Sequence, residues 1–379
     1  MANHGVILTA ALTAWAAACA LAALGTAVVI RVAPRIGLMD QPAARKVHQE
    51  PTPLGGGVAV WLAVTIIVVC VYAVAWTARA NAVASGLVPE PLRPHIPGLI
   101  SRGPLVAAVL AGATLQMILG LVDDWRGLSY LVRLLVEAGL VAALAWLGIR
   151  VTLFPPFDAP VFTYTVTILW IVGLTNAFNF LDNMDGLSGG VAALCCMFLA
   201  LVAFMIGDLF IAGFVLVLGG ALSGFLLFNW PPARVFLGDA GANFVGFLLG
   251  VVTVAGTFTT PQYPNVTIFA PLCIMAVPIY DSVSVITIRL LEGRSPFKPD
   301  KKHFSHRLVT LGMSPPRAVL TIYLATVATS LNAIILYFLP PRWAVVVVLQ
   351  IAAVLGLVAV LETTGIRALN RANGQEAES

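Results

Sequence analysis

Charge is what this sequence has least of. Of its 379 residues, 10% are Asp, Glu, Lys or Arg, whereas 60% are hydrophobic. A soluble domain carries about 25% charged residues, so a water-facing surface cannot be built from this composition. The bilayer must be the solvent for most of the chain. The net charge of +4 is weak, and no nucleic-acid partner is read from it. Cysteine is sparse too: Cys19, Cys70, Cys195, Cys196 and Cys273 sit in apolar runs. None has metal-ligand spacing or a partnering His, and an odd number within helices argues against a disulfide framework. No basic segment precedes the apolar stretch from about Gly5 to Ile30, which reads as a retained span rather than a cleaved signal. There is no soluble domain, no internal repeat and no low-complexity segment.

What the chain does have is apolar runs. About 20 consecutive apolar residues cross the hydrocarbon core as a helix. Such runs lie near 6–30, 58–78, 104–122, 130–149, 160–178, 188–206, 209–228, 241–258, 266–288, 318–339 and 343–361. The expected fold is all-α and polytopic, with about eleven transmembrane helices, or about ten if the nearly continuous pairs merge. A single transmembrane domain then covers 1–367, and residues 368–379 form a loose polar tail. Basic residues fix the orientation. Arg31, Arg35, Arg45, Lys46, Arg126, Arg133, Arg234, Arg289, Arg294, Lys302 and Arg307, among others, share one side. Arg79, Arg93, Arg102, Arg150 and Arg342 fall on the other. The positive-inside bias makes the crowded side cytoplasmic, with the N-terminus outside and the C-terminus inside.

The carboxylates are the informative minority, because ionised groups near the hydrocarbon are expensive unless paired or metal-bound. Asp123 and Asp124 close the third run, Asp182 and Asp185 follow the fifth in Asn176-Ala-Phe-Asn-Phe-Leu-Asp-Asn-Met-Asp185, and Asp239 precedes the eighth in Gly238-Asp-Ala-Gly241. All five lie on the crowded face. So do the basic segments Arg45-Lys-Val-His48 and Arg294 to Arg307. The active-site loops are therefore read as 32–57, 123–129, 179–187, 229–240 and 289–317. Each motif taken singly has a plain structural reading. An Asp-Asp pair can be a solvated cap, Gly-Asp-Ala-Gly an ordinary turn, and His303 and His306 wet surface. Asp281, inside the ninth run, fits a packing hydrogen bond as well as a role. Together on one face, they form what a divalent cation and a phosphorylated substrate require, and oxygen ligands suit Mg²⁺.

These segments, in this order, resemble the polyprenyl-phosphate N-acetylhexosamine-1-phosphate transferases (glycosyltransferase family 4) over nearly the whole chain. The likeness rests on Asp40-Gln-Pro-Ala-Ala-Arg-Lys-Val-His48, Pro51-Thr-Pro-Leu-Gly-Gly-Gly57, Asp123-Asp124, Asn176 to Gly190, Val235 to Gly241, and Pro299-Asp-Lys-Lys-His-Phe-Ser-His-Arg-Leu308. It is nearest to the branch that initiates O-antigen, common-antigen and teichoic-acid chains (WecA- and TagO-like). The resemblance implies transfer of a sugar phosphate, most simply from UDP-GlcNAc, onto undecaprenyl phosphate with release of UMP. It implies Mg²⁺, replaceable by Mn²⁺, held by Asn179 and Asp239. Phe236 and Asp185 would meet the uracil, with Asp182 also lining the substrate site. Asp123 and Asp124 would stand nearest the lipid phosphate, and Lys46, His303, His306 and Arg307 would clamp charge. The expected setting is the inner (plasma) membrane, amid membrane lipids, with the active site cytoplasmic. A homodimer is left open.

Two departures from the family pattern bear on the reading. Ser305 stands where relatives often carry a third histidine, leaving a His-x-x-His pair. Peptidoglycan-branch enzymes show Asp-Asp-x-x-Lys, whereas Gly127 fills the fifth position here. That weakens the alternative of a UDP-MurNAc-pentapeptide transferase. A transporter, the other alternative, is disfavoured by carboxylates gathered at one interface rather than at midplane between repeats.

Overall fold

The computed structural model describes residues 2–41, 50–151, 159–256, 269–296, 300 and 302–377. Lys46 lies outside these residues. Among the described residues the structure is helical apart from one short ladder. It runs through α1 (Ala2–Val32), α2 (Gly56–Ala80), α3 (Ala82–Leu87), α4 (Ile96–Ser101), α5 (Gly103–Arg126), α6 (Tyr130–Trp146) and α7 (Pro160–Leu181). It continues through α8 (Leu187–Met205), α9 (Leu209–Asn229), α10 (Gly238–Ala255), α11 (Ala270–Ile274), α12 (Ala276–Leu291), α13 (Phe304–Thr310), α14 (Pro315–Ile335) and α15 (Ala344–Ala377).

Among the described residues the apolar runs fall on helices, nine of them long and apolar enough to cross a membrane. The other two expected spans are α6, which has 17 residues, and a ninth run broken at Met275 into α11 and α12. The break has a local cause. Pro278 has no N–H to give to the carbonyl of Ile274, and that carbonyl accepts instead from the Cys195 thiol at 3.4 Å. The protein is thus a polytopic, all-α membrane protein.

Burial grades from the middle outward. Nearly all of α10 is buried, whereas α1 and α15 present Leu and Val side chains outward. Such an apolar exterior is the expected surface where lipid is the solvent. Close backbone approach seats α10 against its neighbours. A Cβ on Gly57 would lie 2.1 Å from the Cα of Gly241, and one on Gly120 would lie 2.2 Å from the carbonyl oxygen of Asp239.

The ladder pairs β1 (Met39–Asp40) with β2 (Thr52–Pro53), antiparallel. It extends by backbone bonds into the chain before α10. Phe236 N–H donates to Pro53 at 2.9 Å, and Gly56 and Gly57 donate to Phe236 and Leu237 at 3.0 and 2.9 Å. Two of the motifs singled out in the sequence are therefore bonded to each other.

Candidate active site

The site is assembled where helices end. Asp123 and Asp124 occupy the last turn of α5, Asn179 the last turn of α7, and Asp239 the first turn of α10. The N-terminal turn of α10 has no cap from its own side chains. Asp124 supplies one from α5, its Oδ1 accepting from Asp239 N–H at 2.9 Å and its Oδ2 from Ala240 N–H at 3.1 Å. A carboxylate at a helix N-terminus also meets the positive end of the macrodipole. Gly238 makes the approach feasible: its φ is +73°, and a Cβ there would sit 2.7 Å from Asp124 Oδ2.

With its amide held, Asp239 turns its carboxylate to the neighbouring helices. Oδ1 accepts from Asn179 Nδ2 at 2.7 Å. Oδ2 faces Arg133 Nη1 at 3.5 Å, and the same nitrogen reaches Asp123 Oδ2 at 2.5 Å. The other oxygen of Asp123 accepts from Leu128 N–H at 2.5 Å, which closes the tight turn into α6. Arg133 is thus a resident cation between two carboxylates. Sequence reasoning gave Arg133 no part beyond charge bias, since only the reversal at Gly127–Ser129 swings α6 over the pair. It also missed Glu137, 1% exposed one turn further along α6, which accepts from Asn176 Nδ2 at 2.6 Å.

Asp182 follows α7. Burial pushes its carboxyl up to about 8, the negative charge of Asp124 adds to the rise, and the Gly238 amide opposes it. Asp185 accepts from Ala233 N–H at 2.9 Å, so it ties the loop after α7 to the loop before α10. Buried Asn229 reinforces that tie, accepting from Gly186 N–H at 2.9 Å and donating to Val235 at 2.8 Å. Phe236, half-buried, lies in the same loop.

The histidine segment docks on the same end of the bundle. His303 is 6% exposed. Its Nδ1 bonds Asp281 Oδ2 at 2.9 Å, while Asp281 Oδ1 accepts from Phe304 N–H at 2.6 Å at the start of α13. The His303 ring meets Phe180 edge-on with centroids 5.8 Å apart and His306 at 6.4 Å. Ser305 donates to Asn183 Oδ1 at 2.5 Å, so the residue that departs from the family pattern fastens this segment to the loop after α7. Arg289 grips Asp300 through Nε at 3.0 Å and Nη2 at 3.2 Å. Although burial favours the neutral acid, the Arg289 bonds and the Lys302 amide hold Asp300 below the usual carboxylate range. Arg307 is committed to Glu362 at 2.9 Å, the Lys302 carbonyl at 2.5 Å and Ser284 at 3.0 Å. It anchors the segment to α12 and α15.

The chain therefore brings Asp123, Asp124, Asn179, Asp182 and Asp239 into one cluster, with Asp185 and Phe236 in the loops around it and His303 and His306 at the start of α13. Among the described residues no three His, Cys, Asp or Glu side chains converge as a metal cage. Mg²⁺ does not need one, because it keeps several waters and takes one or two protein oxygens plus substrate phosphates. Asp239 Oδ2 would provide one oxygen and Asn179 a second once its amide is turned about, and the approach of Arg133 shows that the Asp239 carboxylate attracts a cation. The donor set fits a hard divalent ion.

Asp124→Asn tests the cap. Half of its reach becomes an amide that repels a backbone N–H, so thermal stability should fall, by about 1 kcal/mol on the scale of lost caps. Turnover should fall with it, because the Asp239 turn loosens. Unchanged melting and unchanged turnover would show that the cap bears no weight.

Comparison with known proteins places the chain in a family. Residues 106–257 match the family described as Glycosyl transferase family 4, a segment that carries both Asp123-Asp124 and Asp239. The chain is 33% identical to the probable undecaprenyl-phosphate N-acetylglucosaminyl 1-phosphate transferase of Bacillus subtilis (strain 168) over 320 residues, 82% of this chain and 80% of that one. It is 33% identical to the decaprenyl-phosphate N-acetylglucosaminephosphotransferase of Mycolicibacterium smegmatis, covering 76% of this chain and 73% of the relative. It is 25% identical to the undecaprenyl-phosphate alpha-N-acetylglucosaminyl 1-phosphate transferase of Escherichia coli (strain K12), covering 85% and 83%. On these grounds the chain belongs to glycosyl transferase family 4, among the polyprenyl-phosphate sugar-1-phosphate transferases.

Proposed function

We propose that this protein transfers N-acetylglucosamine-1-phosphate from UDP-GlcNAc to undecaprenyl phosphate and releases UMP. The observation that carries the reading is the Asp123–Arg133–Asp239–Asn179 chain of contacts at the bundle end, in a protein a third identical to relatives named for that transfer. An oxygen of the lipid phosphate attacks the β-phosphorus of the donor, the bond to the α-phosphate breaks, and UMP leaves with the electron pair. A phosphate monoester has a second pKa of about 6, so the acceptor is already largely ionised and needs no strong base. Catalysis is then positioning and charge compensation, as usual in phosphoryl transfer.

In this reading Asp239 and Asn179 hold Mg²⁺, which neutralises charge on the pyrophosphate when bound. Arg133 and Asp123 stand at the acceptor side, where the guanidinium can exchange a carboxylate for a lipid phosphate. Phe236 and Asp185 flank the uracil. Lys46 supplies further positive charge, the His303 and His306 rings offer polar contacts to the phosphates, and Arg307 keeps the histidine segment in place. The active end faces the cytoplasm of the plasma membrane, on the strength of the basic bias, and donor nucleotide is met there.

The relatives' names and Gly127 favour an N-acetylglucosamine donor over UDP-MurNAc-pentapeptide. The test is UMP release from a panel of donors with undecaprenyl phosphate. UDP-GlcNAc should give the highest kcat/KM, and UDP-glucose should fall orders of magnitude lower, because a pocket that bonds an acetamido group leaves polar atoms unpaired without it. Efficient use of the pentapeptide donor would move the protein to the peptidoglycan branch. Turnover should also stop under EDTA and return with Mg²⁺ or Mn²⁺. Full activity after thorough chelation would remove the metal from the scheme.

A further inference from the structure

Helices α6 and α7 reach the carboxylate of Asp239 from two sides. Arg133 on α6 brings Nη1 to Oδ2 at 3.5 Å, and Asn179 on α7 donates from Nδ2 to Oδ1 at 2.7 Å. Both contacts close on one carboxylate only if the two helices hold one register. A second rung lies one turn deeper in the bundle. Glu137 follows Arg133 on α6, roughly 6 Å along the axis, and Asn176 precedes Asn179 on α7, roughly 4.5 Å along it. There Glu137 Oε2 accepts from Asn176 Nδ2 at 2.6 Å.

The rest of α6 fixes that register weakly. The helix packs mainly on α7, and its other buried residues are Val141, Leu144 and Ala145. Apolar side chains resist a small slide poorly where the surrounding lipid is as apolar as they are. The Glu137–Asn176 bond is directional and short. Asn176 is held from behind as well, since its Nδ2 also donates to the Val172 carbonyl at 3.0 Å. Glu137 is 1% exposed. A carboxylate buried within the bundle is expensive, and two apolar side chains would pack α6 on α7 at lower cost. Packing alone therefore does not account for the pair.

We infer that Glu137 is a positioning residue for the transfer. Through Asn176 it fixes the register of α6 on α7, and so holds Arg133 and Asn179 on the two oxygens of Asp239. The inference rests on the proposed roles of Arg133 beside the lipid phosphate and of Asp239 and Asn179 around the metal. The loops assigned to the donor nucleotide are tied separately, Asp185 to Ala233 and Asn229 to Gly186, so donor binding is insulated from the register.

Glu137→Met keeps the length of the side chain and removes the acceptor, whereas Glu137→Gln keeps an acceptor for Asn176. With Glu137→Met, the KM for undecaprenyl phosphate and the half-saturating Mg²⁺ concentration should each rise about tenfold, the scale of a displacement below an ångström. The KM for UDP-GlcNAc should stay. Glu137→Gln should keep both values within about threefold of the parent, because a neutral hydrogen bond remains. The register is read without turnover, by pulsed electron resonance between spin labels. Leu135→Cys on α6 and Leu169→Cys on α7, both exposed positions, carry the labels in a background free of the native cysteines. Their separation should shift or broaden with Glu137→Met and not with Glu137→Gln. An unchanged separation in Glu137→Met would overturn the inference. So would a lower kcat with the lipid KM and the Mg²⁺ dependence unchanged, which would make the pair purely structural. Should Glu137→Met fail to fold, Asn176→Leu removes the same bond from α7 and decides alone. If the parent turns over other substrates, the proposed function fails by itself, and a separation that moves only with Glu137→Met still upholds the register.

Discussion

Asp239→Asn should leave a folded, inserted protein whose turnover is down about a thousandfold, equivalent to about 4 kcal/mol of transition-state stabilisation. The fold should survive because Asp124 holds the backbone amide of residue 239, not its side chain. What is lost is the carboxylate. Its Oδ1 accepts from Asn179 and its Oδ2 is the oxygen facing Arg133. An amide there supplies one weak oxygen where a charged ligand stood, and its NH₂ turns a donor toward a site that must attract cations. UMP release under a Mg²⁺ titration reads the effect, with thermal melting as the control for folding. Near-normal turnover at any Mg²⁺ concentration would sink the metal assignment. A loss matched by an equal collapse in melting would make Asp239 a structural residue.

The two neighbouring aspartates divide along different lines. Asp124 spends both oxygens on the amides of α10, and Asp123 spends one on Leu128 and the other on Arg133. Neither carboxylate is free to become a nucleophile without giving up a bond that shapes the site. Direct attack by the lipid phosphate asks less, since it only exchanges Arg133 from one anion to another. The geometry therefore supports the one-step route over a covalent intermediate.

Much of this was legible in the sequence, and for one reason. In a bilayer a polar residue inside or beside an apolar run is expensive, so each that persists has a cause. That logic located the helices and picked out Asp123, Asp124 and Asp239, and the family resemblance added Asn179. Asp123 and Asp124 meet Asp239 through Arg133 and backbone amides, while Asn179 bonds it directly. It left Asp281 undecided between packing and function, and the contacts show a carboxylate that both caps α13 and orients His303. The logic failed where the cost is hidden by abundance. Arg133 was one arginine among many on a basic face, and its place depends on a turn whose geometry periodicity does not report. It failed also for Glu137, within an apolar run, and Glu362, just past the end of one, which take partners 39 and 55 residues away. The carboxylates signalled that a partner exists, but not which one.

Close packing of glycine against backbone is equally silent in a sequence, and it leads to the second large effect. Gly120→Ala should cost turnover at least about a hundredfold, with a stability loss of about 1–3 kcal/mol. A Cβ on residue 120 would stand 2.2 Å from the carbonyl oxygen of Asp239 and 2.4 Å from its carbon. Those atoms belong to backbone in the first turn of α10, so no side chain can swing aside. The last turns of α5 and the first turn of α10 must part by about an ångström or more, on the scale of ordinary carbon–oxygen contacts. Asp124 rides on α5 one turn beyond Gly120, and its bonds to the Asp239 and Ala240 amides, at 2.9 and 3.1 Å, have no slack for such a shift. The Asp123–Arg133–Asp239 bridge crosses the same seam. Gly139→Ala is the matched control, since a Cβ there meets nothing within 4 Å, and on α6 it should leave melting and turnover close to those of the parent. If Gly120→Ala keeps full activity, the seam between α5 and α10 is not what sets the distance between the carboxylates. If Gly139→Ala proves equally harmful, the damage comes from helix substitution in general and not from this contact.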